Sequence, residues 1–337
     1  MAGPRLSLVM SALAIGSFFV WLSQVCCWKK IVAMRDRREI ILQHIDKNGF
    51  GIEIGPSHAP IAPKKDGYKV HIIDHLSREM LIEKYKEENV QIDNIEEVDF
   101  VWNGEPYVDL TGRPNYYDWI IASHVVEHIP DLIEFMKDCD SILNENGVLS
   151  LAVPNSNCCF DFFRPISGIS KVIDAHHQKS KIHSPGTAVE HVLNVSSRDG
   201  QTTWNRKFSL QGDFGFYHSV KDARQAMEAA KAHHHHYQDF HAWCFSPHSF
   251  RLLVYDLFCL GLIPLREISF FPTSGFEFFI TLGRNGSGPA KNRLEMLKAV
   301  KAEISVLPNP SEIIRSGLTC QLRRGILWVR RLGRLYL

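Results

Sequence analysis

The chain has 337 residues, which is enough to bury a sizeable core in one large domain or two smaller ones. With 45% hydrophobic and 22% charged residues its composition is ordinary for a globular protein, and a net charge of +1 gives no reason to expect a nucleic-acid partner. Its eight cysteines include no C-x-x-C pair, so the pattern indicates reduced thiols and argues against a disulfide framework.

The first predicted element is the uncharged segment at residues 6–28. It is long enough to span a bilayer, for which about 20 apolar residues suffice. Lys29 and Lys30 follow it, so the positive-inside rule would put the rest of the chain in the cytoplasm, attached to the cytoplasmic face of a membrane. Residues 1–30 are therefore a candidate membrane anchor, and a helix packed against the protein itself is the competing interpretation.

Three short apolar runs follow, at residues 50–54, 69–73 and 117–122, after a helix predicted at 36–45. Continuous apolar runs of this length are typical of parallel strands that helices cover on both faces. In such sheets, ligands bind outside the carboxyl ends of the strands. These strand ends carry small, acidic, hydroxyl or imidazole side chains: Glu53, Gly55, Asp74, Ser123 and His124. The sequence therefore predicts a nucleotide-type pocket.

Asp74 has the position of a carboxylate that binds ribose. It stands 21 residues beyond Glu53, and a carboxylate about 20 residues past the first strand turn accepts hydrogen bonds from a ribose hydroxyl pair. Gly55 would let the backbone approach a ligand, but Pro56 and two further prolines by residue 63 disfavour the helix N-terminus that binds a diphosphate. S-adenosylmethionine fits this pattern better than a nicotinamide dinucleotide.

These residues resemble class I S-adenosylmethionine-dependent methyltransferases. The resemblance rests on Glu53-x-Gly55, on Asp74, on IASHVVEHIPD at residues 121–131 and on LNENGVLSLAVP at 143–154. It covers about residues 40–285 and implies a doubly wound, mostly parallel seven-stranded Rossmann-like α/β sheet whose last strand is antiparallel. It also implies S-adenosylmethionine as cofactor and methyl transfer to an oxygen or nitrogen. Asn103 suits the place where the family contacts adenine with a polar side chain.

The remaining elements predict a methyltransferase-like domain over residues 31–285. Strands at 97–102 and 148–153 and helices at 77–86 and 132–143 complete its first half, and a helix at 247–260 with strands at 265–270 and 276–282 closes it. The pattern loosens between about 155 and 240, which we interpret as a substrate cap inserted after the fifth strand. Residues 286–337 are predicted as a peripheral helix followed by a tail.

The tail, residues 315–337, is basic and amphipathic. A helix of this kind can lie on an anionic membrane surface, and a solvated helix or disordered tail is the alternative interpretation.

Candidate catalytic residues come from two segments, residues 160–165 and 239–247, which flank the edge of the predicted sheet where an acceptor would lie. A base that takes a proton from a hydroxyl or amine should be His, Asp or Glu within reach of that group. Asp161 and His241 are the first candidates, with His128 behind them. A plain ion pair between Asp161 and Arg164 is the competing interpretation. The expected acceptor is a small molecule or a glycan-type compound.

One further motif, His124-Val-Val-Glu127-His128, matches the zinc pattern H-x-x-E-H. That pattern requires both histidines on one helix face, whereas here the motif follows directly on a predicted strand. We therefore expect no metal site and keep a zinc hydrolase as an alternative. A second alternative is a cofactor-binding protein without catalytic activity, because the first loop is poor in glycine.

Overall fold

A seven-stranded sheet forms the centre of the computed structural model, which describes residues 36–205, 212–232 and 238–305. Its strands are β1 Phe50–Ile54, β2 Lys69–Asp74, β3 Phe100–Val101, β4 Tyr117–Ser123, β5 Leu143–Pro154, β8 Arg266–Ser274 and β9 Glu277–Gly283. They are ordered β3-β2-β1-β4-β5-β9-β8, and β9 is antiparallel to both of its neighbours. The prediction of a doubly wound, mostly parallel sheet is confirmed.

Nine helices belong to the described residues. They are α1 Arg37–Ile41, α2 Arg78–Tyr85, α3 Tyr107–Thr111, α4 Leu132–Ile142, α5 Ile169–His177, α6 Pro185–Asn194, α7 Val220–Ala232, α8 Pro247–Cys259 and α9 Arg293–Ile304. The α4 helix shows why the local sequence is helical: its apolar residues recur at three and four and are buried, and the side chain of Asp131 caps it by accepting from the Glu134 amide at 3.0 Å.

The core lies on both faces of the sheet. In β4, Ile120 and Ala122 pack into one apolar cluster, and Trp119 and Ile121 pack into the other. Successive side chains of a strand point to opposite faces, so a strand buried on both sides needs an uninterrupted apolar run. The loops at the carboxyl ends of the strands are consequently the places where polar side chains gather.

Two strands differ in length from the prediction. β3 has two residues instead of the six expected at 97–102, because Asp99 uses its side chain as well as its backbone to bind β2, accepting from the Ile72 amide at 2.8 Å. β5 begins at Leu143, earlier than the predicted 148, because Leu143 already pairs with Tyr117 before a register shift in the ladder.

The segment between β5 and α8 contains three helices, α5 to α7, and a two-stranded antiparallel ribbon, β6 Ser196–Arg198 with β7 Phe214–Phe216. Arg164 ties distant parts of this segment together, because its guanidinium donates to Asp161, Glu190 and the carbonyl of His241 at 2.9–3.1 Å. That the segment is a substrate cap, and the boundaries of the predicted domains, stay predictions.

Among the described helices, none is long and apolar enough to cross a membrane. The two segments on which the membrane predictions depend, residues 6–28 and 315–337, lie outside the described ranges. The predicted cytoplasmic location and membrane attachment therefore stay predictions.

Candidate active site

A cleft opens where β1, β2 and β4 end, and parallel topology brings these ends to one edge of the sheet. Its walls come from the loop after β1, the ends of β2 and α2, the start of α3 with the residues before it, the turn after β4 and one residue of the inserted segment, Asp239. Of the residues predicted to bind cofactor, Gly55, Asp74 and His124 line this cleft.

Asp74 is arranged to receive hydrogen bonds from a ligand. One carboxylate oxygen, Oδ1, accepts from the His75 amide at 2.7 Å and lies 2.7 Å from Nδ1 of the same residue. The other oxygen, Oδ2, is buried and has no hydrogen-bond partner among the residues that the structure describes. Burying a carboxylate oxygen without a hydrogen-bond donor costs free energy. The hydroxyl pair of a ribose would supply the missing donors.

The loop after β1 approaches the cleft through its backbone. Gly55 has φ +60°, donates its amide to Ile73 at 2.8 Å, and would place an added Cβ 3.3 Å from Val125 Cγ2. Ser57, which sequence reasoning missed, also lines the cleft and has φ +49°. Pro56 stands between them, and its carbonyl accepts from the Ala59 amide at 2.9 Å.

Glu53 shapes this loop from behind. Its buried carboxylate accepts from the amides of Ile61 at 2.7 Å and Ala62 at 3.0 Å, and it is not part of the cleft wall. Burial raises the pKa of Glu53 to about 7, against the two amide hydrogen bonds, which lower it. Glu53 therefore positions Gly55 indirectly, by fixing where the loop returns to the sheet.

An aromatic wall stands where the sequence predicts Asn103. Asn103 is exposed and its side-chain amide donates to the Val101 carbonyl at 3.2 Å, so the structure does not bring it into the cleft. Trp102 and Tyr107 line the cleft instead, with ring centroids 6.3 Å apart. Their planes are inclined at 71°, so the two rings pack edge to face and give the cleft an aromatic wall against which a purine ring can pack. The tryptophan directly before Asn103 was the available signal.

His124 ends β4 in the left-handed region, with φ +55°. Its Nε2 lies 2.9 Å from Glu277 Oε2 and its Nδ1 lies 3.4 Å from Glu127 Oε1. Burial alone would lower the pKa of His124, but the two carboxylates outweigh it and raise the pKa to about 9. The neighbouring Ser123 is not part of the cleft wall; its hydroxyl accepts from Arg37 Nη2 at 2.6 Å.

Residues 124–128, which match the zinc pattern, do not form the α-helix that a zinc site of this type requires. Residues Val126–His128 form a single 3-10 turn, so His124 and His128 do not share an α-helix. The expected helix of an H-x-x-E-H site is therefore not formed at this position.

The three predicted catalytic residues meet at the far wall of the cleft. His241 packs edge-on against His128, with ring centroids 4.5 Å apart, and its Nδ1 lies 2.5 Å from Asp161 Oδ2. The order is the reverse of the sequence expectation: His128 lines the cleft, whereas Asp161 and His241 are buried behind it. Asp239, which sequence reasoning did not single out, also lines the cleft, with Oδ1 2.8 Å from His128 Nδ1.

Electrostatics keep both carboxylates of this group ionised. Burial would raise the pKa of Asp161, but His241 and Arg164 hold it at about 2. The hydrogen bond from His128 lowers the pKa of Asp239 well below its ordinary value. The group therefore consists of two histidines, each held by an ionised carboxylate.

A family model described as "Methyltransferase domain" matches residues 31–254, about two thirds of the chain. The chain belongs to this methyltransferase family. It is an S-adenosylmethionine-dependent methyltransferase, and S-adenosylmethionine is its cofactor. The cleft fits that cofactor, since Asp74 Oδ2 can accept from the ribose and the aromatic wall of Trp102 and Tyr107 can pack against the adenine.

Other comparisons add individual similarities. No curated protein matches the chain. A methyltransferase from Aquifex aeolicus is similar at 13% identity and TM-score 0.29, covering 43% of this chain and 79% of that one. The methyltransferase CcbJ from Streptomyces caelestis is similar at 16% identity and a TM-score of 0.26. The similarity covers 35% of this chain and 49% of CcbJ, which is about half of its length. A protein assigned to the Zn-dependent alcohol dehydrogenases of Rhodobacter sphaeroides is similar at 11% identity and a TM-score of 0.39. The similarity covers 75% of this chain and 92% of that protein.

Proposed function

We propose that this methyltransferase transfers the methyl group to an oxygen or nitrogen of a small-molecule or glycan-type acceptor. The observation that carries the proposal is the pair of histidines held by carboxylates at the wall of the cofactor cleft. His128 with Asp239 borders the cleft, and His241 with Asp161 stands behind it. The acceptor enters beside His128 and Asp239, opposite the Asp74 end that holds the ribose.

Methyl transfer to a hydroxyl or amine needs two things from the protein. The bond from carbon to the acceptor atom forms as the bond from carbon to the sulfonium sulfur breaks, which leaves a neutral thioether, and the acceptor gives up one proton. The sulfonium is already activated, so alignment and exclusion of water supply much of the rate. The histidine–carboxylate group accepts that proton.

The class of acceptor follows from the charge and the shape of the site. A net charge of +1 gives the chain no electrostatic attraction for a nucleic-acid backbone. The cleft is closed on one side by the inserted segment, through Asp239, and this favours a compact acceptor over a flat protein surface. A membrane surface as a further partner depends on residues 6–28 and 315–337 and stays a prediction.

The test is acceptor screening with radiolabelled S-adenosylmethionine on the full-length protein. The panel contains hydroxyl, amine and carboxylate compounds, including mono- and oligosaccharides, with mass spectrometry to assign the methylated atom. With an acceptor found, Asp239→Asn should lower turnover by about 10- to 100-fold while S-adenosylmethionine binding changes little, because His128 loses the carboxylate that orients it. The exposed carboxylate of Glu228 on α7 offers the control variant Glu228→Gln.

Two results would contradict the proposal. Methylation at carbon or sulfur would mean that the histidine–carboxylate group serves another purpose. Tight cofactor binding with no methylated compound in the whole panel would favour the alternative of a cofactor-binding protein without catalytic activity.

A further inference from the structure

We infer that Glu127, His128 and His241 form a binding site for a divalent metal ion at the acceptor side of the cleft. One ligand atom from each of the three residues lies within 4.8 Å of the other two. The set differs from the sequence motif, because His241 takes the place of His124. Binding of the ion stands on these residues alone, whereas its use in methyl transfer rests on the proposed function.

Glu127 has a buried carboxylate that a metal ion could bind. Its side chain is only 1% exposed, and among the described residues no donor lies in hydrogen-bonding geometry to either carboxylate oxygen, although His124 forms an ion pair with it. The nearest imidazole nitrogens lie 3.4 Å from Oε1, in His124, and 3.9 Å from it, in His128. A buried carboxylate is costly unless it is paired, hydrogen-bonded or bound to a metal ion. The two imidazoles pair with Glu127 only when they are protonated, whereas a metal ion would supply a permanent positive charge.

Both histidines are oriented as metal ligands usually are. Asp161 lies 2.5 Å from Nδ1 of His241, and Asp239 lies 2.8 Å from Nδ1 of His128. A carboxylate on one ring nitrogen fixes the tautomer and directs the other nitrogen toward a metal, and this pairing accompanies most metal-binding histidines. The Nε2 atom of His128 points toward Glu127, at 3.9 Å from Oε1.

The backbone holds the three residues together. The carbonyl of Glu127 accepts from the amides of Ala242 at 2.6 Å and Trp243 at 3.2 Å. These hydrogen bonds tie the segment that carries His241 to the turn that carries Glu127 and His128. The ligand set is therefore preorganised, although its parts are far apart in the sequence.

A second group of two carboxylates and a histidine has similar composition but different contacts. Asp131, Glu134 and His176 also bring ligand atoms within 4.8 Å of one another. There, however, Lys137 Nζ lies 3.0 Å from His176 Nε2, and Asp131 caps α4 and contacts His176 Nδ1. In that group the buried carboxylate, Asp131, already accepts from the Glu134 amide, and Glu134 itself is half-exposed, so the group carries no inference about a metal.

Two imidazoles and one carboxylate suit Zn²⁺, Fe²⁺, Mn²⁺ or Ni²⁺ and leave at least one coordination position open. His128 borders the cleft, so that position faces the acceptor. An acceptor hydroxyl bound there would lose its proton more readily. The oxygen–methyl bond forms as the sulfur–methyl bond breaks, and the proton leaves by way of the half-exposed carboxylate of Asp239 to solvent.

The experiment must first remove a competing source of metal binding. Residues 233–236 are four consecutive histidines, and histidine tracts bind transition metals themselves. All proteins are therefore full-length chains in which these four residues are replaced by Asn. After treatment with a chelator and its removal, Zn²⁺ and Mn²⁺ are titrated calorimetrically, and Co²⁺ is titrated by absorption, whose visible bands report ligand number and geometry.

We expect one site per chain. Glu127→Gln and His241→Asn should each weaken it by more than about 100-fold, and Asp161→Asn, which removes only the partner of His241, by about 10- to 100-fold. His248→Asn is the matched control, because His248 is also paired with a carboxylate, Glu303 at 2.6 Å, and does not line the cleft. It should leave the affinity unchanged.

The inference is overturned if no metal binds, or if Glu127→Gln and His241→Asn, folded by their melting curves, bind it as the parent does. If either variant fails to fold, the Co²⁺ spectrum of the parent decides, because a spectrum without two imidazole ligands excludes the site. Full methyl transfer after chelation would overturn the metal's role while the proposed function stands. A bound metal with no methylated acceptor would overturn the proposed function while the site stands.

Discussion

Replacing Asp74 should weaken cofactor binding without weakening the fold. Within the described part of the chain Asp74 Oδ2 has no hydrogen-bond partner, whereas Oδ1 accepts from the His75 amide at 2.7 Å. Asp74→Asn keeps an oxygen for that amide and puts an NH₂ group where the ribose hydroxyls would donate. Asp74→Ala removes both oxygens. The two variants therefore separate the ligand contact from the contact within the protein.

The expected loss follows from the kind of hydrogen bond removed. A hydrogen bond to a charged group contributes about 1.5–3 kcal/mol, which corresponds to about 10- to 150-fold in the dissociation constant. Asp74→Asn should lie near the lower limit, because a ribose hydroxyl can turn and accept from the new NH₂ group. Asp74→Ala should lie near the upper limit, because no polar group remains.

The measurement is isothermal titration calorimetry with S-adenosylmethionine and with S-adenosylhomocysteine. Asp109→Asn, the same change at an exposed position of α3, is the control and should bind both ligands as the parent does. Melting curves should show that Asp74→Asn is as stable as the parent. An Asp74→Asn protein that is folded and binds S-adenosylmethionine within twofold of the parent would refute the assignment of the ribose to this carboxylate.

Three further predictions concern the sheet and its charges. Gly51→Ala should lower the unfolding free energy by about 3 kcal/mol or more, because the new Cβ would lie 2.0 Å from Trp119 Cδ2; an unchanged melting temperature would contradict this. Glu267→Ala should cost about 3–5 kcal/mol in urea unfolding, because it leaves the buried Arg251 guanidinium, bound at 2.7 and 2.8 Å, without its partner. The pKa of Glu53, raised by burial from 4.5 to about 7, contributes stability that is full below pH 4.5 and is lost as the pH rises through 7. Glu53→Gln should therefore flatten the dependence of stability on pH between these values, and an unchanged slope would show that the pKa is not raised.

The edge of the sheet at which the cleft opens could be predicted because buried strands are mostly apolar. β1, β2 and β4 are mostly apolar, and small, acidic, hydroxyl or imidazole residues at their carboxyl ends indicate where each strand ends. Parallel strands end at one edge, and this is sufficient to bring Gly55, Asp74 and His124 into one cleft. Position in the sequence could not show whether a side chain turns toward the cleft or away from it. Glu53 and Asn103 lie at the predicted strand ends, yet one binds backbone amides and the other faces solvent.

The sequence by itself determined the fold class, the cofactor and the identity of the histidine and aspartate candidates, because these depend on local patterns of apolar and polar residues. Only the tertiary structure decided how the candidates are arranged. Asp161 and His241 are 80 residues apart, and no periodicity links them. They meet Glu127 and His128 because the inserted segment returns to the sheet edge and hydrogen-bonds there to the carbonyl of Glu127. Such long-range contacts depend on how a loop packs, which local propensity does not specify.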